Sequence, residues 1–249
     1  MAEQVGVYSR IPKDLDGLYY SALGRSLKVG YDFEEFLEPC ASTTDRLLGK
    51  YYIYISGAGA LIYTLGAAND RPGLACLETG TTAAGAAVLW NGGTNANGLL
   101  FGAGEYTFET DIFIGGLSTA IEEYGIALGF GDNVTYDNVD GAYFKYDRAV
   151  TGVNWQLVTA NNSARTTVNS GVIVTAGVWH RFKVVVNTAG TLVSYYIDNI
   201  LVGTIATNIP TGAGRLFGPN MMIVKTVGLT TRFFYSDWIW FHYNLAVSR

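Results

Sequence analysis

Residues 177–205, GVWHRFKVVVNTAGTLVSYYIDNILVGTI, leave the chain little choice of fold. Phe182, Val184 and Val186 alternate with Arg181, Lys183 and Val185, and then Val193, Tyr195 and Ile197 alternate with Ser194, Tyr196 and Asp198. A period of two sends successive side chains to opposite faces, so each run is a strand with one buried face and not a helix. Asn187-Thr188-Ala189-Gly190 supplies a glycine-containing hairpin loop, and Asp198-Asn199 supplies two residues that tolerate a left-handed backbone in a tight turn. Three strands joined by two turns make an antiparallel meander, and a meander needs a larger sheet to join.

The rest of the chain offers one. Strand-like runs are predicted at residues 50–55 and 60–65, forming a first hairpin around Ser56-Gly57-Ala58-Gly59, and at either end of residues 70–90. Others follow at 105–114, 124–130, 141–146, 155–160, 165–168, 221–227 and 233–243, about a dozen strands in all. In the run at 105–114, Tyr106, Phe108, Thr110, Ile112 and Ile114 share one face, and Glu105, Thr107, Glu109, Asp111 and Phe113 share the other. Residues 92–98 read as a long polar turn. The 31 Gly and 17 Tyr among 249 residues, with 15% charged residues, suit short strands, tight turns and aromatic packing between sheets. No fixed-length repeat points to a propeller or solenoid. The expected architecture is an all-β antiparallel jelly-roll β-sandwich over residues 41–249, preceded by an N-terminal arm at 1–40. Within the arm a short helix is predicted from Tyr31 to Leu37, with Asp32, Glu34 and Glu35 near its start and Pro39 ending it.

Charge and composition exclude several classes of partner. The net charge of -5 and the lack of a Lys/Arg run argue against nucleic acid, which requires clustered cations. No apolar run is long enough for a membrane-spanning helix, and the first residues lack a secretion signal, so the expectation is a protein made and kept in the cytosol with Cys40 and Cys76 as free thiols.

Two resemblances attach to particular residues. Trp179-His180 opening one strand and Tyr196-Ile197-Asp198-Asn199 closing the hairpin resemble the pattern of laminin G-like and concanavalin A-like jelly rolls. Arg71-Pro72-Gly73, residues 77–83, residues 207–211, residues 218–226 and residues 236–239 are similar to jelly-roll domains of tailed-bacteriophage virion proteins. The likeness covers about residues 50–243. It implies a non-enzymatic virion structural protein, a capsid decoration or tail-associated one, assembled in the host cytoplasm. Its arm would dock on other virion proteins of capsid or tail, and its copies would form homo-oligomers such as trimers. The alternative is a lectin-like protein at the virion surface that binds a host receptor or glycan.

Glu109 and Asp111 share a strand face, as the carboxylates of a laminarinase-like glycosidase would, but Phe113 and Ile114 stand where the second acid belongs. His180 and His242 lie beside aromatics in strands, and Ser236-Asp237 lacks the strand-turn-helix setting of a nucleophile elbow. The loop Asp132–Asp140 is dense in oxygen ligands that could hold Ca²⁺, yet it lacks EF-hand spacing and the closing bidentate Glu. Gly57-Ala58-Gly59 and Gly212-Ala213-Gly214 are turns without the further residues of a phosphate loop. Tyr51, Tyr52, Tyr54, Trp155, Trp238 and Trp240 are candidates for a sugar platform by type. No catalytic, cofactor-binding or metal-ligating residue is assigned, no cofactor is expected, and the chain is read as non-enzymatic.

Overall fold

The computed structural model describes residues 29–34, 36, 41–42, 46–47, 51–68, 71–90, 99–135, 137–147 and 152–246. Seventeen strands occupy them: β1 Val29–Glu34, β2 Ala41–Ser42, β3 Arg46–Leu47, β4 Tyr51–Ser56, β5 Leu61–Ala68, β6 Arg71–Glu78, β7 Ala86–Trp90, β8 Gly104–Ile114 and β9 Tyr124–Gly131. There follow β10 Gly141–Asp147, β11 Asn154–Asn161, β12 Ala164–Ile173, β13 Trp179–Val186, β14 Val193–Ile197, β15 Ile200–Ile205, β16 Gly218–Lys225 and β17 Phe233–Leu245. The first sheet runs β15-β14-β13-β8-β17-β6-β5-β2, with β1 also on β17, and the second runs β12-β11-β10-β9-β16-β7-β4-β3. The chain is an all-β antiparallel jelly-roll sandwich of these two sheets, as the alternation predicts.

The meander is β13, β14 and β15, with Phe182 opposite Ile197 and Val184 opposite Tyr195. Asp198 and Asn199 turn it with φ of 52° and 65°. The Asn187 side chain accepts from the amides of Thr191 and Leu192 at 2.8 and 3.0 Å, which holds the other turn. Between the sheets the joint is aromatic. Phe144 of β10 meets Phe182 edge-on at 5.0 Å and Tyr195 at 5.3 Å, and Trp155 of β11 meets Phe182 at 4.6 Å. All four are buried. The Tyr195 hydroxyl donates to the Val158 carbonyl at 2.7 Å, so a polar bond crosses the apolar layer.

Three expectations change. Residues 51–56 and 61–68 are not a hairpin: β4 pairs with β3 and β7 in the second sheet, while β5 pairs with β2 and β6 in the first. The glycine-rich turn between them carries the chain across the sandwich, with Gly57 at φ 91° and Gly59 at φ 73°. The helix predicted from Tyr31 is instead strand β1 through Glu34, paired with residues 239–244 of β17. Sheet pairing there overrides the weak local preference that acidic residues near a helix start provide. Strand number also exceeds the expected dozen, because short bridging pairs such as β2 and β3 carry no alternation to read. Cys76 is a buried free thiol, whereas Cys40 and the polar turn at 92–98 lie outside the described residues.

Trp179, which opens the meander, is half-buried on the outward face of the first sheet, opposite Phe113. Phe182 faces inward and is fully buried. Phe182→Ala is therefore expected to cost about 3–5 kcal/mol in urea denaturation, and Trp179→Ala only about 1–2 kcal/mol. Equal losses would contradict this division of faces.

Candidate functional site

Each sheet has an outward face, and the two differ in how their polar groups are satisfied. On the first sheet, β8 presents Glu109, Asp111 and Phe113, opposite Lys183, Arg181 and Trp179 of β13. Arg181 donates to Asp111 from Nε at 2.7 Å and from its terminal nitrogen at 3.2 Å, and Arg71 of β6 reaches Asp111 at 3.3 Å and Asp237 at 2.5 Å. Asp237 and Trp238 project from an irregularity in β17 between Ser236 and Ile239, where the Thr110 hydroxyl bonds the Trp238 carbonyl at 2.7 Å.

Three aromatic rings of this face lie under cations. Arg71 lies 5.0 Å over Trp179, Arg181 5.1 Å over Trp238, and Lys183 4.7 Å over Tyr196. Trp240 leans on His242 at 5.7 Å. A ring face taken by a guanidinium is not open to a sugar. Glu109 and Asp111 do share this face, but Arg181 contacts both, at 3.7 Å for Glu109. His180 is held between Asp198 and Thr175, each at 2.7 Å, and Ser236 is buried against Thr110 at 2.9 Å. Thr175, His180 and Asp198 thus form a hydroxyl–imidazole–carboxylate chain, whereas Ser236 meets a hydroxyl and a backbone carbonyl.

The second sheet's outward face carries a buried layer of its own. Val88, Trp90, Ala127, Tyr143, Val158 and Met222 form a second buried cluster there, separate from the interior core, with Tyr52, Val134 and Val224 packed against it. Along β9 the outward positions are Gly125, Ala127, Gly129 and Gly131, so the middle of the face carries nothing larger than a methyl. Pairing registers align Tyr52, Trp90, Asn220, Gly129, Tyr143 and Val158 as one row across six adjacent strands. A Cβ on Gly129, at φ 145°, would meet the Ala142 carbonyl at 2.6 Å, so only glycine fits the centre of the row.

Three buried polar atoms in this row have no hydrogen-bond partner: Trp90 Nε1, Asn220 Oδ1 and Tyr143 Oη. The Asn220 amide is oriented by its other end, which donates to the Asn133 carbonyl at 2.8 Å. Burial pushes the Tyr143 hydroxyl up to about 12, while Arg165 and the Asn138 backbone pull in the other direction without satisfying it. Other unpartnered atoms, on Thr82, Asn154, Trp179 and Arg232, do not fall in this row. In the next rows Lys145 bonds Asp137 at 2.7 Å and lies 3.7 Å from Asp147, and Gln156 donates to the Asn154 carbonyl at 3.2 Å.

The loop after β9 bounds this layer. Its carboxylates are engaged: Asp132 accepts from the Val139 amide at 3.0 Å, Asp140 accepts from Asn162 at 2.7 Å and Arg215 at 3.2 Å, and Asp137 takes Lys145. Among the described residues no group of three or more candidate ligands is disposed around a cation. Tyr51 and Trp155, candidates for a sugar platform by type, belong to the interior, whereas Tyr52 and Tyr54 face outward beside that layer. Sequence reasoning missed Trp90, Tyr143 and Asn220. The one legible sign was the run of glycine and alanine at alternate positions of β9.

The fold is that of concanavalin A-like jelly rolls, whose solved members include lectin and glycosidase domains. The chain belongs to the SO2946-like family, whose C-terminal domain profile matches residues 70–237. It is similar to the protein of unknown function SO2946 from Shewanella oneidensis MR-1, with TM-score 0.60, 12% identity, and coverage of 98% of this chain and 99% of that one. An endo-1,3-beta-glucanase from Streptomyces sioyaensis aligns with TM-score 0.54, 9% identity, and 86% and 96% coverage. The Emp46p carbohydrate recognition domain in its potassium-bound form aligns with TM-score 0.51, 10% identity, and 84% and 94% coverage. No curated protein matches the chain by sequence. Among the described residues no helix is long and apolar enough to cross a membrane.

On the first sheet, burial raises the Glu109 carboxyl above its ordinary range, and Lys183 and Arg181 only partly offset that. A carboxyl raised by folding binds its proton more tightly when folded, so its contribution to stability falls as pH rises through that range. Glu109→Gln is thus expected to raise the melting temperature at pH 7, with the gain vanishing as pH drops below the ordinary carboxyl range. A gain that grows at low pH would contradict this.

Proposed function

We propose that the protein is a non-hydrolytic, lectin-like saccharide binder whose site is the outward face of the second sheet. The observation that carries this reading is the row of Trp90, Asn220 and Tyr143 atoms without partners around the bare centre at Gly129. A buried polar atom left unbonded costs about 1–3 kcal/mol, and three in one row are matched by a ligand rich in hydroxyls. The likeness to a carbohydrate recognition domain and a glucanase supports the same reading.

Binding without cleavage is supported by the carboxylates. Glycoside hydrolysis uses two carboxyl groups, one to protonate and one to attack or activate water. Glu109 and Asp111 lie on the opposite sheet against Arg181, and Asp137 and Asp147 flank the same Lys145 ammonium. The finer expectation, a virion protein docked through residues 1–40, rests on the segments at 71–83 and 207–239. It is tested by particle incorporation with and without those first residues.

Tyr143→Phe is the sharpest test, because it removes an unbonded hydroxyl and keeps the ring. It should leave the melting temperature unchanged or raised while weakening saccharide binding at least about tenfold by calorimetry. Trp240→Ala, on the other sheet, should leave binding unchanged. Loss of binding in Trp240→Ala alone would move the site to the other face, and sugar release by the wild-type protein would overturn the non-hydrolytic reading.

A further inference from the structure

Apolar exposure is concentrated at one end of the sandwich. β8, β10, β12, β14 and β16 finish there and β9, β11, β13, β15 and β17 begin there, and the Gly177 amide donates to the Ile114 carbonyl at 2.9 Å, tying the β12–β13 loop to the end of β8. Leu117, Ile121, Val227 and Leu229 stand on the loops before β9 and before β17. Val153 and Val178 stand on the loops before β11 and β13, with Ile173, Ile200 and Leu201 at the neighbouring ends of β12 and β15. All of these are exposed, Ile121 to 78% and Leu229 to 68%; among the described residues the other exposed large apolar side chains are Tyr54, Val168 and Leu192. Single apolar side chains scattered over a surface need no explanation, but such a concentration marks a place of contact.

The two loops that carry the most exposed tips hold each other in place. The Glu122 carboxylate accepts from the Leu229 and Thr230 amides at 3.1 Å and from the Thr230 hydroxyl at 2.9 Å. The Glu123 amide donates to the Val227 carbonyl at 3.0 Å, and the Thr226 amide returns to the Glu123 carbonyl at 2.9 Å. Thr119 and Glu122 exchange backbone bonds on either side of Ile121 at 3.0 and 3.3 Å. Backbone groups bonded within the protein lower the cost of taking the tips out of water, since they lose no partner on entering an apolar medium.

We infer that this end docks on a lipid bilayer, with Ile121 and Leu229 entering the boundary between headgroups and acyl chains. Protein partners are gripped mainly through Trp, Tyr and Arg anchors seated in closed pockets. The exposed large apolar side chains here are all Ile, Leu or Val and are spread over several loops and strand ends, and a fluid acyl layer closes around separate tips without needing a fixed counterpart. Glu122, Glu123 and Asp198 lie among these loops and the chain carries a net charge of -5, so the attraction is apolar and suits a zwitterionic surface. The contact lies at the end of the sandwich and not on either sheet's outward face, so it stands apart from the saccharide reading.

The test is flotation of the full chain with phosphatidylcholine vesicles and with vesicles containing phosphatidylserine, at low and high salt. The protein is expected to float with phosphatidylcholine alone, with partitioning that changes by less than about twofold with salt. The double variant Ile121→Ser, Leu229→Ser should lose at least about tenfold in partitioning at an unchanged melting temperature, because both side chains are already exposed. Leu192→Ser, at the opposite end, should float as the wild type does. Failure to float with any vesicle would overturn the inference, as would flotation undiminished in the double variant. Flotation confined to phosphatidylserine vesicles and abolished by salt would overturn it in favour of an electrostatic contact. A concentration-dependent dimer that the double variant abolishes, without vesicle binding, would overturn it in favour of a second copy of the chain.

Discussion

The outward face of the second sheet depends on the aromatic joint behind it. Phe144 and Trp155 from the second sheet lock against Phe182 and Tyr195 from the first at centroid distances of 4.6–5.3 Å. Burying each such ring is worth about 1.5–3 kcal/mol, and edge-on contacts add to that. The Tyr195 hydroxyl bonded to the Val158 carbonyl pins β11 at the point where the Val158 side chain packs beside Tyr143 on the far surface. Because side chains alternate, fixing Phe144 inward also fixes Tyr143 and Lys145 outward. The core thus sets the positions of the site residues without touching a ligand.

The first sheet's outward face shows the opposite solution. Its acids and bases close on one another, with Asp111 shared by Arg71 and Arg181, and those same cations lie over the rings of Trp179 and Trp238. Asp111 is buried to about a twentieth of its side chain's possible exposure, so its two guanidinium partners compensate a charge that would otherwise be costly. Most of the charge on that face is paired, with Glu109 only partly offset. Aromatic content alone would have chosen it as the sugar platform, since it carries Trp179, Trp238 and Trp240; hydrogen-bond accounting chooses the other.

What was legible in the sequence follows from range. The meander and β8 were readable because alternation and turn residues are local signals, and Asp198-Asn199 adopts the left-handed turn that its chemistry suggests. The crossing between β4 and β5 was misread as a hairpin, since glycine-rich turns look alike whether the next strand pairs back or passes to the other sheet. The helix predicted from Tyr31 gave way to pairing with β17, a partner some two hundred residues away that no local window contains. The site was least legible of all. Trp90, Asn220, Gly129 and Tyr143 come from four strands brought side by side only by sheet order, and an unpartnered atom exists only once its neighbours are placed.

That last point bears on why such a row persists. A domain of this kind has a net stability of about 5–15 kcal/mol, and three unbonded buried polar atoms at about 1–3 kcal/mol each consume a substantial part of it. Apolar replacements such as Phe for Tyr143 are sterically available and would recover that stability. A fold that keeps the indole N–H, the amide oxygen and the phenol together, on a floor stripped to glycine, holds them in an arrangement that packing alone disfavours. Strain of this sort is concentrated on one face, opposite a sheet whose Asp111 carboxylate is paired with two guanidinium groups.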